Sequence, residues 1–191
     1  MTSTPAPAST FTTYYRHQLH ETIRHIDLDQ VNTAIEWLAE ARDHGRAIFT
    51  AGNGGSASTA SHFVCDVLKG ASYQKEARFR IMALTDNLAT ITAYSNDVSY
   101  NCVFSEQLKN FAKPGDVFMA ISGSGNSPNV LEAMEYANSI GCKTIALTGR
   151  DGGRLGKIAQ LNLLAPEPHM GRIEDAHLIM CHMIAYYFME Q

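Results

Sequence analysis

Two short stretches of this 191-residue chain carry residues fit to hold an anion. The first is Ala51-Gly52-Asn53-Gly54-Gly55-Ser56-Ala57-Ser58. It follows the apolar run Arg46-Ala47-Ile48-Phe49-Thr50 and precedes Ser58 to Leu68, where apolar and small residues recur at helical spacing. Glycine lets the backbone approach a ligand closely, and the free N–H groups at a helix start attract a phosphate. Hydroxyls of Ser56, Ser58 and Thr59 add donors. No Gly-Lys-Ser/Thr ending or G-x-G-x-x-G pattern is present, so neither a P-loop nor a dinucleotide fingerprint is implied. The second stretch is Ser122-Gly123-Ser124-Gly125-Asn126-Ser127-Pro128, after the apolar Val117–Ile121. Ser127 suits an N-cap and Pro128 the first helical position, which makes a second anion nest at a helix start. Two such loops point to one shared phosphorylated ligand. The third turn, Thr148 to Gly153, reads as structural.

The elements that must position these loops alternate. Strands are expected at Ala47–Thr50, Arg80–Leu84, Val117–Ser122, Lys143–Thr148 and Leu161–Ala165. Helices are expected at Ser58–Leu68, Leu88–Ser95, Val103–Phe111, Asn129–Ile140, Gly152–Ile158 and Ile173–Met189. That rhythm predicts an α/β fold with a doubly wound, parallel five-stranded sheet covered by helices on both faces. Ligands of such sheets bind outside the carboxyl ends of the strands, where the Gly/Ser turns fall. Phe11 to His44 reads as two extra N-terminal helices with a break at Asp27-Leu28-Asp29, more than one sheet layer needs, so one is expected against another subunit. Residues 1–10, with two prolines among Ser, Thr and Ala, read as a disordered tail, and 11–191 as a single domain.

A formal charge of −4 and the lack of a basic block give no support for nucleic-acid or acidic-membrane binding. No apolar run spans a bilayer and the N-terminus lacks signal-peptide character, so a cytoplasmic protein is expected. Cys65, Cys102, Cys142 and Cys181 form no CxxC pair and read as reduced, mostly buried thiols.

Gly52-Asn53-Gly54-Gly55-Ser56, Ser95-Asn96-Asp97, Ser122 to Ser127, and Leu147-Thr148-Gly149-Arg150-Asp151-Gly152-Gly153 together resemble the sugar isomerase (SIS) domain family. Within it they are similar to the phosphoheptose isomerases. The resemblance runs from about Phe11 onward. It implies a homotetramer with active sites at subunit interfaces, and conversion of sedoheptulose 7-phosphate to D-glycero-D-manno-heptose 7-phosphate for surface glycans. It places substrate contacts on Asn53, Gly54, Gly55, Ser56, Asn96, Asp97, Ser122, Gly123, Ser124, Ser127 and Glu174, with the serine loop on the phosphate. It places the metal, Zn²⁺ or a similar divalent ion, on His62, Asp66, Glu174 and His182. Two positions depart from the pattern: the resemblance implies glutamate where this chain has Asp66, and glutamine where it has Glu174.

Residue by residue, His62 and Asp66 are four apart on one helix and share a face. Imidazole and carboxylate oxygen are a normal Zn²⁺ ligand pair. Glu174 and His182 are eight apart, about 12 Å along a straight helix, too far to hold one ion together. Either the first turn is distorted, Glu174 is an acidic helix-start residue, or different subunits supply the two. His177 reads as packing or interface. Aldose–ketose isomerisation needs a base beside the carbonyl and an acid to return the proton, and Asp66 and His182 are the expected pair. A sugar-phosphate-binding regulator of a protein partner, or an isomerase of another sugar phosphate, are the rival readings.

Overall fold

The computed structural model describes residues 7–191. Its order is α1 (Ala8–Arg24), α2 (Leu28–Asp43), β1 (Ala47–Gly52), α3 (Gly55–Cys65), β2 (Arg80–Ala83), α4 (Leu88–Asp97), α5 (Ser105–Phe111), β3 (Val117–Ser122), α6 (Pro128–Ser139), β4 (Lys143–Gly149), α7 (Gly153–Ile158), β5 (Leu161–Ala165) and α8 (Met170–Met189). All five strands fall where the apolar runs predict them. The five are parallel in the order β2-β1-β3-β4-β5. The doubly wound α/β reading therefore holds. Ala8–Thr10, expected in a disordered tail, open α1 instead; the first six residues of that stretch lie outside the described residues.

The sheet separates two cores because its side chains alternate faces. Val117, Met119 and Ile121 of β3 pack with α2, α3 and α8, while Phe118 and Ala120 pack with α5 and α6. Helix α2 presents Val31, Ala34, Leu38 and Ala41 at helical spacing to the first of these cores. Asp27 starts it by accepting from the amides of Asp29 and Gln30, the break expected there. At the other extreme, α4 has no buried residue, and Leu88, Val98 and Tyr100 in and beside it face outward.

Helix α8 lies between the sheet and α1, and a polar tie sets its first turn. Arg172 Nη2 donates to Glu167 Oε1 at 2.7 Å, and Thr22 Oγ1 of α1 donates to Glu167 Oε2 at 2.9 Å. The Arg172 hydrogen bond brings the Glu167 carboxyl down to about 2. Tyr15 Oη donates to Asp175 Oδ2 at 2.5 Å, and burial together with that carboxylate pushes the phenol up to about 12. Arg172 and Glu167 are buried, and leaving either without the other costs far more than an exposed pair is worth; Thr22 and Tyr15 bond to Glu167 and Asp175 and so tie α1 to the start of α8.

Candidate functional site

The two anion loops meet because β1 and β3 are neighbours. Gly52 pairs with Ile121, and β1 runs on to β2 on its other side, so the loops open at the switch point of the sheet. A reciprocal amide pair locks them. Asn53 Nδ2 donates to Asn129 Oδ1 at 2.8 Å, and Asn129 Nδ2 returns a bond to Asn53 Oδ1 at 2.9 Å. Tyr100 Oη donates to the same Asn53 oxygen at 2.8 Å. Neither Asn129 nor Tyr100 was expected at the site.

The loops enclose a cavity of about 280 Å³. Asn53, Gly54, Gly55 and Ser56 line one wall, and Ser122, Gly123, Ser124 and Ser127 another. Met170 and Glu174 of α8 form a third, and among the described residues no lysine, arginine or histidine lines it. Ser127 caps α6 by its backbone conformation while its hydroxyl makes no cap bond. That hydroxyl stands 3.4 Å from Ser122 Oγ, which is itself 3.4 Å from Ser124 Oγ. Three hydroxyls thus cluster with the N-termini of α3 and α6, a set of neutral donors suited to a phosphate. The turn read as structural holds this loop from behind. Leu155 N donates to Gly125 O at 2.8 Å, and Arg154 N donates to Asn126 Oδ1 at 3.1 Å. Gly125 has φ +62° and its missing Cβ would lie 2.2 Å from Gly152 O, so only glycine fits. Replacing Ser124 by Ala removes one hydroxyl from this cluster, and with it one charge-assisted bond if the cluster takes a phosphate. It is expected to lower kcat/KM for a sugar phosphate by about 10-fold or more, the equivalent of about 1.5–3 kcal/mol. Steady-state kinetics showing no change would move the phosphate elsewhere.

A second cluster lies farther along α3. His62 Nε2 and His182 Nε2 face each other at 3.3 Å. Asp66 Oδ2 is 3.4 Å from the first and 3.6 Å from the second. That oxygen is buried and has no hydrogen-bond partner. Two imidazole nitrogens and a carboxylate oxygen facing one point, with the oxygen otherwise unsatisfied, fit a divalent cation. Donors about 2.0–2.1 Å from a tetrahedral ion stand roughly 3.3 Å apart, close to these three edges, and three protein ligands leave a position open. Beyond Cys65 the helix widens into one π turn, Asp66–Gly70, closed by Ala71 N donating to Asp66 O at 3.1 Å. Such turns are frequent at functional sites.

Within one chain Glu174 does not join this group, although the resemblance puts it in the ligand set. Helix α8 is continuous α-helix through Glu174 and His182, so no distorted turn shortens the distance between them. Glu174 lies instead at the start of α3, where a Cβ on Gly55 would sit 2.5 Å from its Oε1. Asn96 and Asp97 do not line the cavity. They end the exposed helix α4, with Asn96 Nδ2 donating to Asp97 Oδ1 at 2.7 Å. His177, on the sheet side of α8, is fully buried with Nε2 3.0 Å from Thr148 O. Burial brings it down to about 4, so it packs as a neutral side chain. Cys65 is exposed and the other three thiols are buried.

The SIS domain family matches residues 12–149. A probable phosphoheptose isomerase of Thermoplasma volcanium is 42% identical over 161 residues, 84% of this chain and 82% of that protein. The phosphoheptose isomerase of Aliarcobacter butzleri is 40% identical over 157 residues, 82% of each. The solved phosphoheptose isomerase of Neisseria gonorrhoeae superposes with a TM-score of 0.87 at 29% identity, covering 96% of this chain and 98% of that one. That of Francisella tularensis gives 0.88 at 26% identity, with full coverage of both chains. On the span of the domain match and the identity of these relatives, the chain belongs to the SIS domain family.

Proposed function

We propose that this protein is a phosphoheptose isomerase, converting sedoheptulose 7-phosphate to D-glycero-D-manno-heptose 7-phosphate in the cytoplasm for surface-glycan synthesis. The observation that carries the reading is the coexistence of a cation-free serine cavity with the His62–Asp66–His182 triangle in a chain whose relatives bear that name. A protein that only binds a sugar phosphate has no need of the second cluster.

The serine loop and the α3 N-terminus take the phosphate through neutral donors, which fixes the sugar's far end. Asp66 removes the proton beside the carbonyl, and His182 returns a proton to the neighbouring position, so that the enediol collapses to the aldose. His62, Asp66 and His182 would hold Zn²⁺ or a similar divalent ion, whose contribution when bound is Lewis-acid stabilisation of developing oxygen charge; His182 would then give one ring nitrogen to the ion and keep its proton on the other. The triangle does not line the cavity of its own chain, and His62 is seven residues beyond Gly55, about 10 Å along α3. We assign the missing proximity to a homotetramer in which one subunit's cavity faces another's triangle. The outward apolar side chains Leu88, Val98, Met183, Tyr186 and Tyr187 support such contacts.

The test is incubation of the metal-analysed protein with sedoheptulose 7-phosphate, followed by NMR. Appearance of the aldose phosphate is expected; an unchanged ketose spectrum with metal present would falsify the activity. Light scattering is expected to give a tetramer, and a monomer at micromolar concentration removes the shared-site assignment.

A further inference from the structure

We infer that Tyr100 is a positioning residue of the cavity, whose hydroxyl holds the Asn53 amide so that one of its N–H groups stays free for the ligand. The inference rests on the isomerase reading only for the sugar phosphate used to test it. Asn53 lines the cavity, whereas Tyr100 does not.

The need for a grip comes from the backbone. Asn53 stands between Gly52 and Gly54, the latter at φ +54°, and glycine restrains the chain less than any other residue. Hydrogen bonds fix the side chain instead. Val130 N–H can only donate, and it does so to Asn129 Oδ1 at 3.0 Å. Asn53 must therefore turn Nδ2 toward that oxygen, at 2.8 Å, and Oδ1 toward Asn129 Nδ2, at 2.9 Å. Tyr100 Oη then meets an oxygen rather than an amide nitrogen, and donates to it at 2.8 Å. Asn53 Oδ1 thereby accepts two bonds, which uses both of its lone pairs. One N–H of Nδ2 goes to Asn129, and the other has no partner among the described residues. No other side-chain amide lines the cavity.

Tyr100 itself contributes little to packing. Its ring is 50% exposed, while Cys102, Val103 and Phe104 just after it are buried. Ser99 opens the 3₁₀ turn Tyr100–Cys102 by accepting from Asn101 N at 3.1 Å, and that turn packs on α6, which carries Asn129. Asn53 is thus held from two sides by one packed unit, although its partners lie 47 and 76 residues away. Phenylalanine in place of Tyr100 keeps the ring and loses only this bond. Asn53 is then tied to Asn129 alone, and its free N–H is no longer aimed.

The experiment measures the calorimetric Kd for sedoheptulose 7-phosphate, together with kcat, on the full-length, metal-loaded protein. Wild type, Tyr100→Phe, Asn53→Ala and the double variant are compared. Tyr100→Phe is expected to weaken binding about three- to tenfold, the scale of one hydrogen bond, with kcat, metal content and Tm close to wild type. In the Asn53→Ala background the same change is expected to add less than about twofold, because the hydroxyl acts through Asn53. Unchanged binding in Tyr100→Phe overturns the inference. So does an equal loss in both backgrounds, which makes Tyr100 a direct ligand contact, or a loss that tracks a lowered Tm. NMR of wild type is read separately: no conversion there removes the isomerase reading, while the calorimetric coupling still decides the role of Tyr100.

Discussion

Asp66→Asn is expected to lower turnover of sedoheptulose 7-phosphate by at least about 10²-fold, and up to about 10⁴-fold, while sugar-phosphate binding survives. The amide keeps the size of the side chain but removes the basic oxygen that sits between the two imidazoles. Binding is expected to survive because Ser122, Ser124 and Ser127, the donors proposed for the phosphate, line a cavity that Asp66 does not reach within its own chain. Metal content decides the cause. If metal is retained and turnover lost, the oxygen acts as a base; if both are lost together, it acts as a ligand. Asp66→Glu adds one methylene, about 1.5 Å of reach. It is expected to cost less than the amide, because it retains the charge. Its penalty measures how tightly the triangle closes around the shorter acid, since displacement by about 1 Å can cost 10²-fold. Wild type and Asp66→Asn equally inert, with metal present and several ketose phosphates tried, would favour a binding protein that regulates a partner.

The double variant His62→Ala, His182→Ala is expected to purify without the divalent ion proposed for the triangle. Removing two of three donors leaves one carboxylate oxygen, which cannot close a tetrahedral site. Even the loss of an outer hydrogen-bonding partner costs about 10- to 100-fold in metal affinity. Loss of two direct ligands is therefore expected to exceed about 100-fold, read as metal per chain after dialysis. The fold should survive, because both rings are half exposed and neither belongs to a core. Undiminished metal in this variant would place the ion elsewhere.

Which parts of this site could be read from residue order follows from the range of the interactions. Val117–Ile121 is an unbroken apolar run ending in a polar turn, so the strand, its loop and the start of α6 are all local. The placement of His62 and Asp66 together is likewise local, one turn apart on one helix face. The Asn53–Asn129 pair is not, because its partners are 76 residues apart and neither amide marks its counterpart. The apolar stripe predicts α8 only from Ile173, three residues after the helix begins, since Met170-Gly171-Arg172 shows no such stripe. What secures that turn is Glu167 on Arg172, tied to Thr22 of α1 across 145 residues. What places Glu174 is non-local for a related reason. Spacing along α8 gave its separation from His182 correctly, but only the packing of α8 on α3 puts it against Gly55.

The pairing of β1 with β3 also bears on how the cavity comes into being. Its two loops, near residues 53 and 122, are joined by a long excursion through β2, α4 and α5 at the sheet edge. Closing so long a loop must precede the reward of the central parallel pairing, and such non-local contacts form slowly. A nascent chain carrying residues up to the end of α5 therefore has the first anion loop and no partner for it. Sugar-phosphate binding during refolding should report the docking of β3 rather than early helix formation. Substitutions within the excursion can then reduce the yield of binding-competent protein without touching the ligand.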